Sequence, residues 1–125
     1  MTTLDDLEDL LRKDEKEKAY ELIKEDRGIS AEILMNEGIN FGIIGEYNLS
    51  ISYLELAEKI SEKNEIKEKT REKLAVIYSN RGVAYHELKP HEEAIEDYNK
   101  AIELNPNFTE AYNNRGIAYH KLNKH

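Results

Sequence analysis

Apolar residues along this chain recur at helical spacing in short runs, and each run closes on a turn signal. Leu4, Leu7, Leu10 and Leu11 form the first stripe, opened by Thr3 as a cap with Asp6 three residues on. The all-charged stretch Arg12–Lys18 is expected to hold a turn near Lys13-Asp14. A second helix carries Ala19, Tyr20, Leu22 and Ile23 and is expected to end near Arg27-Gly28, with glycine in a left-handed cap. Ser30 caps a third helix bearing Ile33, Leu34, Gly38 and Phe41. Gly45-Glu46-Tyr47 then turns the chain into a fourth, with Ile51, Leu54, Ala57 and Ile60.

The clearest pattern lies further on, because it occurs twice. Tyr78-Ser79-Asn80-Arg81-Gly82-Val83-Ala84-Tyr85-His86 returns as Tyr112-Asn113-Asn114-Arg115-Gly116-Ile117-Ala118-Tyr119-His120, 34 residues later. Between them Ala94, Ile95, Tyr98, Ala101 and Ile102 keep helical spacing, with Lys89-Pro90 before and Asn105-Pro106 after. Pro90 is placed at a first helical position, where its missing N–H would be unpaired anyway. Glu92 and Glu93 suit the positive end of that helix, and Asn107 with Glu110 forms a capping-box-like start for the last one. A restart at this period marks a stacked array of helix pairs rather than a chain folded around one round core.

From Gly38 to Gly82 the step is 44 residues, so about ten are extra. They fall in the Lys- and Glu-rich Ser61–Leu74 and are expected to lengthen the helices that meet near Lys63-Asn64. Gly82 and Gly116 sit in mid-helix, where glycine costs roughly 1 kcal/mol against alanine. Its return at one phase calls for close approach of a partner helix, with Ala94 expected opposite Gly82 and Ser50 opposite Gly38.

These motifs resemble the tetratricopeptide repeat (TPR) family. Leu34, Gly38, Phe41, Gly45, Tyr47, Leu54 and Ala57 fall on the family's signature positions, and Ser50 replaces the usual alanine. The resemblance covers about Ser30–His125. It implies an all-α, right-handed superhelical solenoid of antiparallel helix pairs. The repeats would span residues 29–62 and 63–108, the latter with an extended first helix, and 109–125 would be the first helix of a further, incomplete repeat. Residues 1–28 read either as a degenerate repeat or as a two-helix cap.

The resemblance also implies a function: binding a protein, peptide or helix in a concave groove, as a scaffold or adaptor. By alignment the groove positions are Met35, Ile39 and Gly42, then Ser79, Val83 and His86, then Asn113, Ile117 and His120. Asn80 and Asn114 join them because a side-chain amide offers both donor and acceptor to an extended peptide backbone. The carboxylate clamp by which some TPR proteins hold an acidic chaperone tail does not fit. It needs lysine and asparagine at Met35 and Ile39, and lysine and arginine at Glu110 and Asn114; only Asn80 matches. The alternatives are a self-association module, or a fragment of a larger TPR protein. Ala111–Leu122 keeps an internal-repeat pattern with nothing after it to cover it, so homo-oligomerisation through this last helix is expected unless the array continues.

Composition narrows the picture further. A net charge of −8, with lysine and arginine interleaved among glutamates, speaks against nucleic acid. The chain has no cysteine and no apolar run of membrane-spanning length, and Met1–Asp6 lacks the features of a signal peptide. A cytoplasmic location follows as the default. No phosphate loop, metal-protease motif or nucleophile elbow is present, so an enzyme and a cofactor are not expected. His86 and His120 recur in phase and could face each other across one interhelical distance, but two imidazoles alone make a poor zinc site and no metal is expected.

Overall fold

A computed structural model describes residues 2–26 and 28–123. Its seven helices are α1 (Leu4–Arg12), α2 (Lys16–Glu25), α3 (Ala31–Ile43), α4 (Tyr47–Ile60), α5 (Asn64–Glu87), α6 (His91–Leu104) and α7 (Thr109–Asn123). No strand occurs among the described residues. The described residues are all-helical.

Local chemistry sets the helix ends. Thr3 and Asp6 form a reciprocal capping box at α1, and the Ser30 hydroxyl accepts the Ile33 N–H at α3. α1 and α3 stop in the same way. Asp14 (φ 59°) and Gly45 (φ 84°) take left-handed backbone, and the next N–H reaches back: Glu15 donates to the Leu10 carbonyl, Glu46 to that of Phe41. At the end of α5 Lys89 adopts φ 78°, and Pro90, with no N–H to donate, stands before α6.

Several boundaries differ from the sequence expectation. α2 ends at Glu25, ahead of the expected Arg27-Gly28. The Asp26 carboxylate makes the turn instead, accepting the N–H groups of Thr2 and Gly28 at 2.6 and 3.0 Å, and Arg27 lies outside the described residues. Pro90 caps α6 rather than opening it. Asn107 gives its N–H to the Asn105 side chain and lies ahead of α7, so Asn105 shapes that turn. The extra residues lengthen one helix only: α5 has 24 residues, while α4 keeps the 14 of α6.

The chain divides into two compact units, residues 1–70 and 71–125, with the division inside α5. In the first unit Leu7 and Leu11 of α1, Ala19 and Ile23 of α2, Leu34 of α3 and Leu49, Tyr53, Leu56 and Ala57 of α4 form one buried cluster. α1 and α2 both lie against α4. Phe41 stacks on the fully buried Tyr53 with ring centroids 5.3 Å apart. Arg12 reaches from α1 to the start of α4, both Glu46 oxygens accepting at 3.2 Å. α3 and α4 approach closely at Gly38, where a Cβ would lie 2.7 Å from Leu54 Cγ. Ser50, buried opposite, donates its hydroxyl to the Gly38 carbonyl at 2.6 Å. Its polar atom is thereby satisfied at the site where the family usually has alanine.

The second unit repeats the device with a different partner. A Cβ at Gly82 would meet Tyr98 Cε1 at 2.7 Å, so α6 lays an aromatic ring on the bare backbone of α5, not Ala94. Ala94 instead serves the following contact, and Ala101 shares its cluster with Ala75 of α5 as well. Ala94 shares a cluster with Ala118 of α7, and Ala101 with Ala111. Tyr85 and Leu122 flank the first cluster; Tyr78, Ile102, Leu104 and Phe108 flank the second. Gly116 has nothing within 4 Å of where its Cβ would be.

The two phase-equivalent glycines should therefore respond in opposite directions. Gly82→Ala would press on a ring that is only 1% exposed and is expected to destabilise by about 1–3 kcal/mol. Gly116→Ala should stabilise by roughly 0.5–1 kcal/mol through helix propensity alone. Circular dichroism melts of both variants check the pair, and equal shifts would remove the close-approach account.

Candidate functional site

The expected groove residues divide between the two units. Met35 and Ile39 on α3 are half-buried, Gly42 is buried, and Met35 packs against the core cluster of its unit. On α5 Asn80 and Val83 are exposed and His86 is half-buried, but Ser79 is 3% exposed. Ser79 is thus removed from any open face, a correction to its expected role. Alignment by phase put it there, whereas its burial depends on what packs over that turn of α5. On α7 Asn113, Ile117 and His120 are exposed and Asn114 is half-buried. Val83 and Ile117, at matching phase, leave 36% and 50% of their surface in water. The amides of Asn80, Asn113 and Asn114 enter no side-chain hydrogen bond within the described chain.

The histidines are arranged differently from the expectation. His86 does not pair with His120, which is exposed; its Nδ1 lies 3.3 Å from Nδ1 of His91 at the start of α6. The two ring centroids are 4.9 Å apart and tilted by 55°. The tight link through Lys89 and Pro90 brings the last turn of α5 over the first turn of α6, a proximity that no helical period encodes. Burial first, then His91 and Lys121, hold the His86 imidazole below the ordinary histidine value, while Glu87 acts the other way. Among the described residues no group of three or more His, Asp or Glu could hold a metal ion.

Arg81 and Arg115, unassigned from sequence, organise the polar side of the second unit. The Arg81 guanidinium forks onto Asp97, Nε to Oδ2 at 2.9 Å and its second nitrogen to Oδ1 at 2.8 Å. The Asp97 side chain is only 6% exposed, and Tyr78 and Tyr85 lie 5.4 and 5.7 Å from the guanidinium carbon. Hydrogen bonding to Asp97 raises the Arg81 pKa, so the charge is permanent. Arg115 sits over Tyr112 at 5.3 Å and donates to Asn99 Oδ1 at 2.8 Å, a neutral partner. A charged residue recurring beside each glycine was the available signal.

The first unit holds a cavity of about 550 Å³ whose lining includes Tyr20, Lys24, Ser30, Lys59, Lys63 and Ile66. Lys59 and Lys24 lie 4.1 and 5.4 Å from the Tyr20 ring centre, so that aromatic face is already engaged by the chain's own cations.

The family model described as TPR repeat matches residues 90–123, the segment of α6, its link and α7. This segment is similar to the tetratricopeptide repeat family. Within the TPR segment Ala94, Tyr98, Ala101, Ala111 and Ala118 are the buried contacts described above. A solved structure titled "Crystal structure of MamA" is similar at 21% identity over 98% of this chain and 86% of that one, with a TM-score of 0.39. No curated protein matches the sequence.

Two outcomes follow from the polar contacts. Arg81→Leu would leave a buried Asp97 without its cation and should cost about 3 kcal/mol, whereas Arg115→Leu should stay within about 1 kcal/mol. Urea melts on both variants give the comparison, and equal losses would deny Asp97 its special place. The second outcome concerns pH. Because the folded His86 pKa is depressed, the native state favours the neutral ring. Stability is therefore intact above the unfolded value of about 6.5 and is lost as pH falls through the folded value. The melting temperature of the native chain should fall more between about pH 7.5 and about pH 5 than that of His86→Gln. Parallel curves would show that the histidine pair does not couple to folding.

Proposed function

We propose that this TPR chain is a protein-interaction module, a scaffold or adaptor that binds an amphipathic helix or an extended segment with apolar anchors. One observation carries the reading: Val83 and Ile117 stand in water at matching phase on successive first helices, beside amides with no hydrogen-bond partner. Packing does not require that surface, and apolar side chains flanked by free amides suit a ligand with both apolar side chains and an unpaired backbone. His86 and His120 would line the polar edge of that surface, and Met35 and Ile39 would offer apolar anchors on α3 of the first unit.

An acidic tail is the poorer ligand. The lysines and arginine of a carboxylate clamp are absent at Met35, Ile39, Glu110 and Asn114, and the chain carries a net charge of −8. No catalytic role, cofactor or nucleic-acid partner is part of the proposal. No described helix is long and apolar enough to cross a membrane, and a cytoplasmic setting is proposed. The packing of α1 and α2 on α4 favours the cap reading of the first two helices over a degenerate repeat.

Val83→Lys with Ile117→Lys is the direct test, since both side chains are exposed and the fold should survive. An array of peptides with paired apolar anchors, probed with the native chain and then with the double variant, should lose its binders by about 2 kcal/mol. Unchanged binding would place the site elsewhere, and a melted variant would make Val83 and Ile117 packing residues.

A further inference from the structure

We infer that the cavity of the first unit is a binding site for a monocarboxylate with an apolar body. The cavity, about 550 Å³, lies where the end of α2, the start of α3, the end of α4 and the start of α5 meet. Its volume falls within the range of small-molecule sites, roughly 300–1,000 Å³. Ile23, Ile29 and Ile66 line it and are buried, so its floor is apolar. Lys24, Lys59 and Lys63 line it and are exposed, so its rim is basic.

Charge decides the class of ligand. Three lysines stand against two glutamates, Glu32 and Glu62, which leaves the described lining at about +1 in a chain of net charge −8. A single negative charge is matched there, whereas a polyphosphate would go largely uncompensated. A nucleotide base fits poorly for a second reason. Lys59 and Lys24 stand 4.1 and 5.4 Å from the Tyr20 ring centre, so the ring on which a base would stack is taken. The buried isoleucines favour a hydrocarbon body instead.

The lysines are available to such a ligand. Lys63 enters no ion pair among the described residues. Lys24 and Lys59 pair with exposed glutamates that do not line the cavity, Glu21 at 3.0 Å and Glu17 at 3.9 Å. Exposed pairs of this kind are weak, and a carboxylate anchored by its apolar body can take the glutamate's place. None of the lining residues belongs to the surface proposed above, so the two sites stand or fall separately.

Octanoate is the probe, titrated into the full chain labelled with nitrogen-15. Saturable shifts are expected at the amides of Ser30, Ala31, Ser61 and Ile66, with those of Val83 and Ile117 unmoved. Octanol, which has the same body and no charge, should bind at least about tenfold more weakly, and added salt should weaken octanoate. Lys59→Gln with Lys63→Gln should weaken octanoate about tenfold while the melting temperature holds, since both side chains are exposed. An acetylated peptide ending in leucine, compared with its C-terminal amide, identifies the source of the carboxylate. If the free-acid peptide binds at the same amides more tightly than octanoate, the ligand is a chain terminus; the reverse order makes it a free acid. Absence of saturable shifts overturns the inference, as does equal binding of octanol or unchanged affinity in the double variant. Shifts confined to Val83 and Ile117 would give the acid to the other surface and overturn it likewise.

Discussion

The contact on which the second unit depends is the approach of α6 to the bare backbone of α5 at Gly82. A side chain there would collide with Tyr98, a ring already closed in on all sides. Accepting the helix-propensity cost of glycine lets α6 come close enough for Asp97 to reach the Arg81 fork. The buried carboxylate then makes the arrangement specific, because any other stagger of the two helices would strand it without a cation. Packing and electrostatics thus select the same register.

The first unit solves the same problem with other atoms. At Gly38 the close approach is to Leu54, and the buried hydroxyl of Ser50 bonds the glycine's own carbonyl. Two contacts of one type therefore tolerate an aliphatic branch in one case and an aromatic ring in the other. What both preserve is the small volume on the first helix. The second helix adapts, provided each polar atom that it buries finds a partner.

The proposed binding surface is what these contacts leave outside. A chain built of helix pairs buries one stripe of each helix against its partner and another against the next pair, and the remaining stripe meets water. On α5 and α7 that remaining stripe carries valine, isoleucine and free amides instead of the charges that dominate the rest of the surface. The proposed binding role rests on the composition of that face and not on a pocket shape.

Helix by helix, much of this was legible in advance. Thr3, Ser30 and Gly45 announced their roles because caps and turns depend on residues within one turn of each other. The period of 34 residues and the phase of Gly38 and Gly82 identified the repeat and its narrow contacts, because a repeated cost in propensity has to be offset by packing. What faces what was decided only in three dimensions. Tyr98 instead of Ala94 above Gly82, His91 instead of His120 beside His86, Asp97 beneath Arg81 and the burial of Ser79 all depend on the rotation and stagger of one helix against another. Rotation and stagger are set by the sum of many weak contacts along two whole helices. No short stretch of sequence contains that sum, whereas a cap or a period is complete within one.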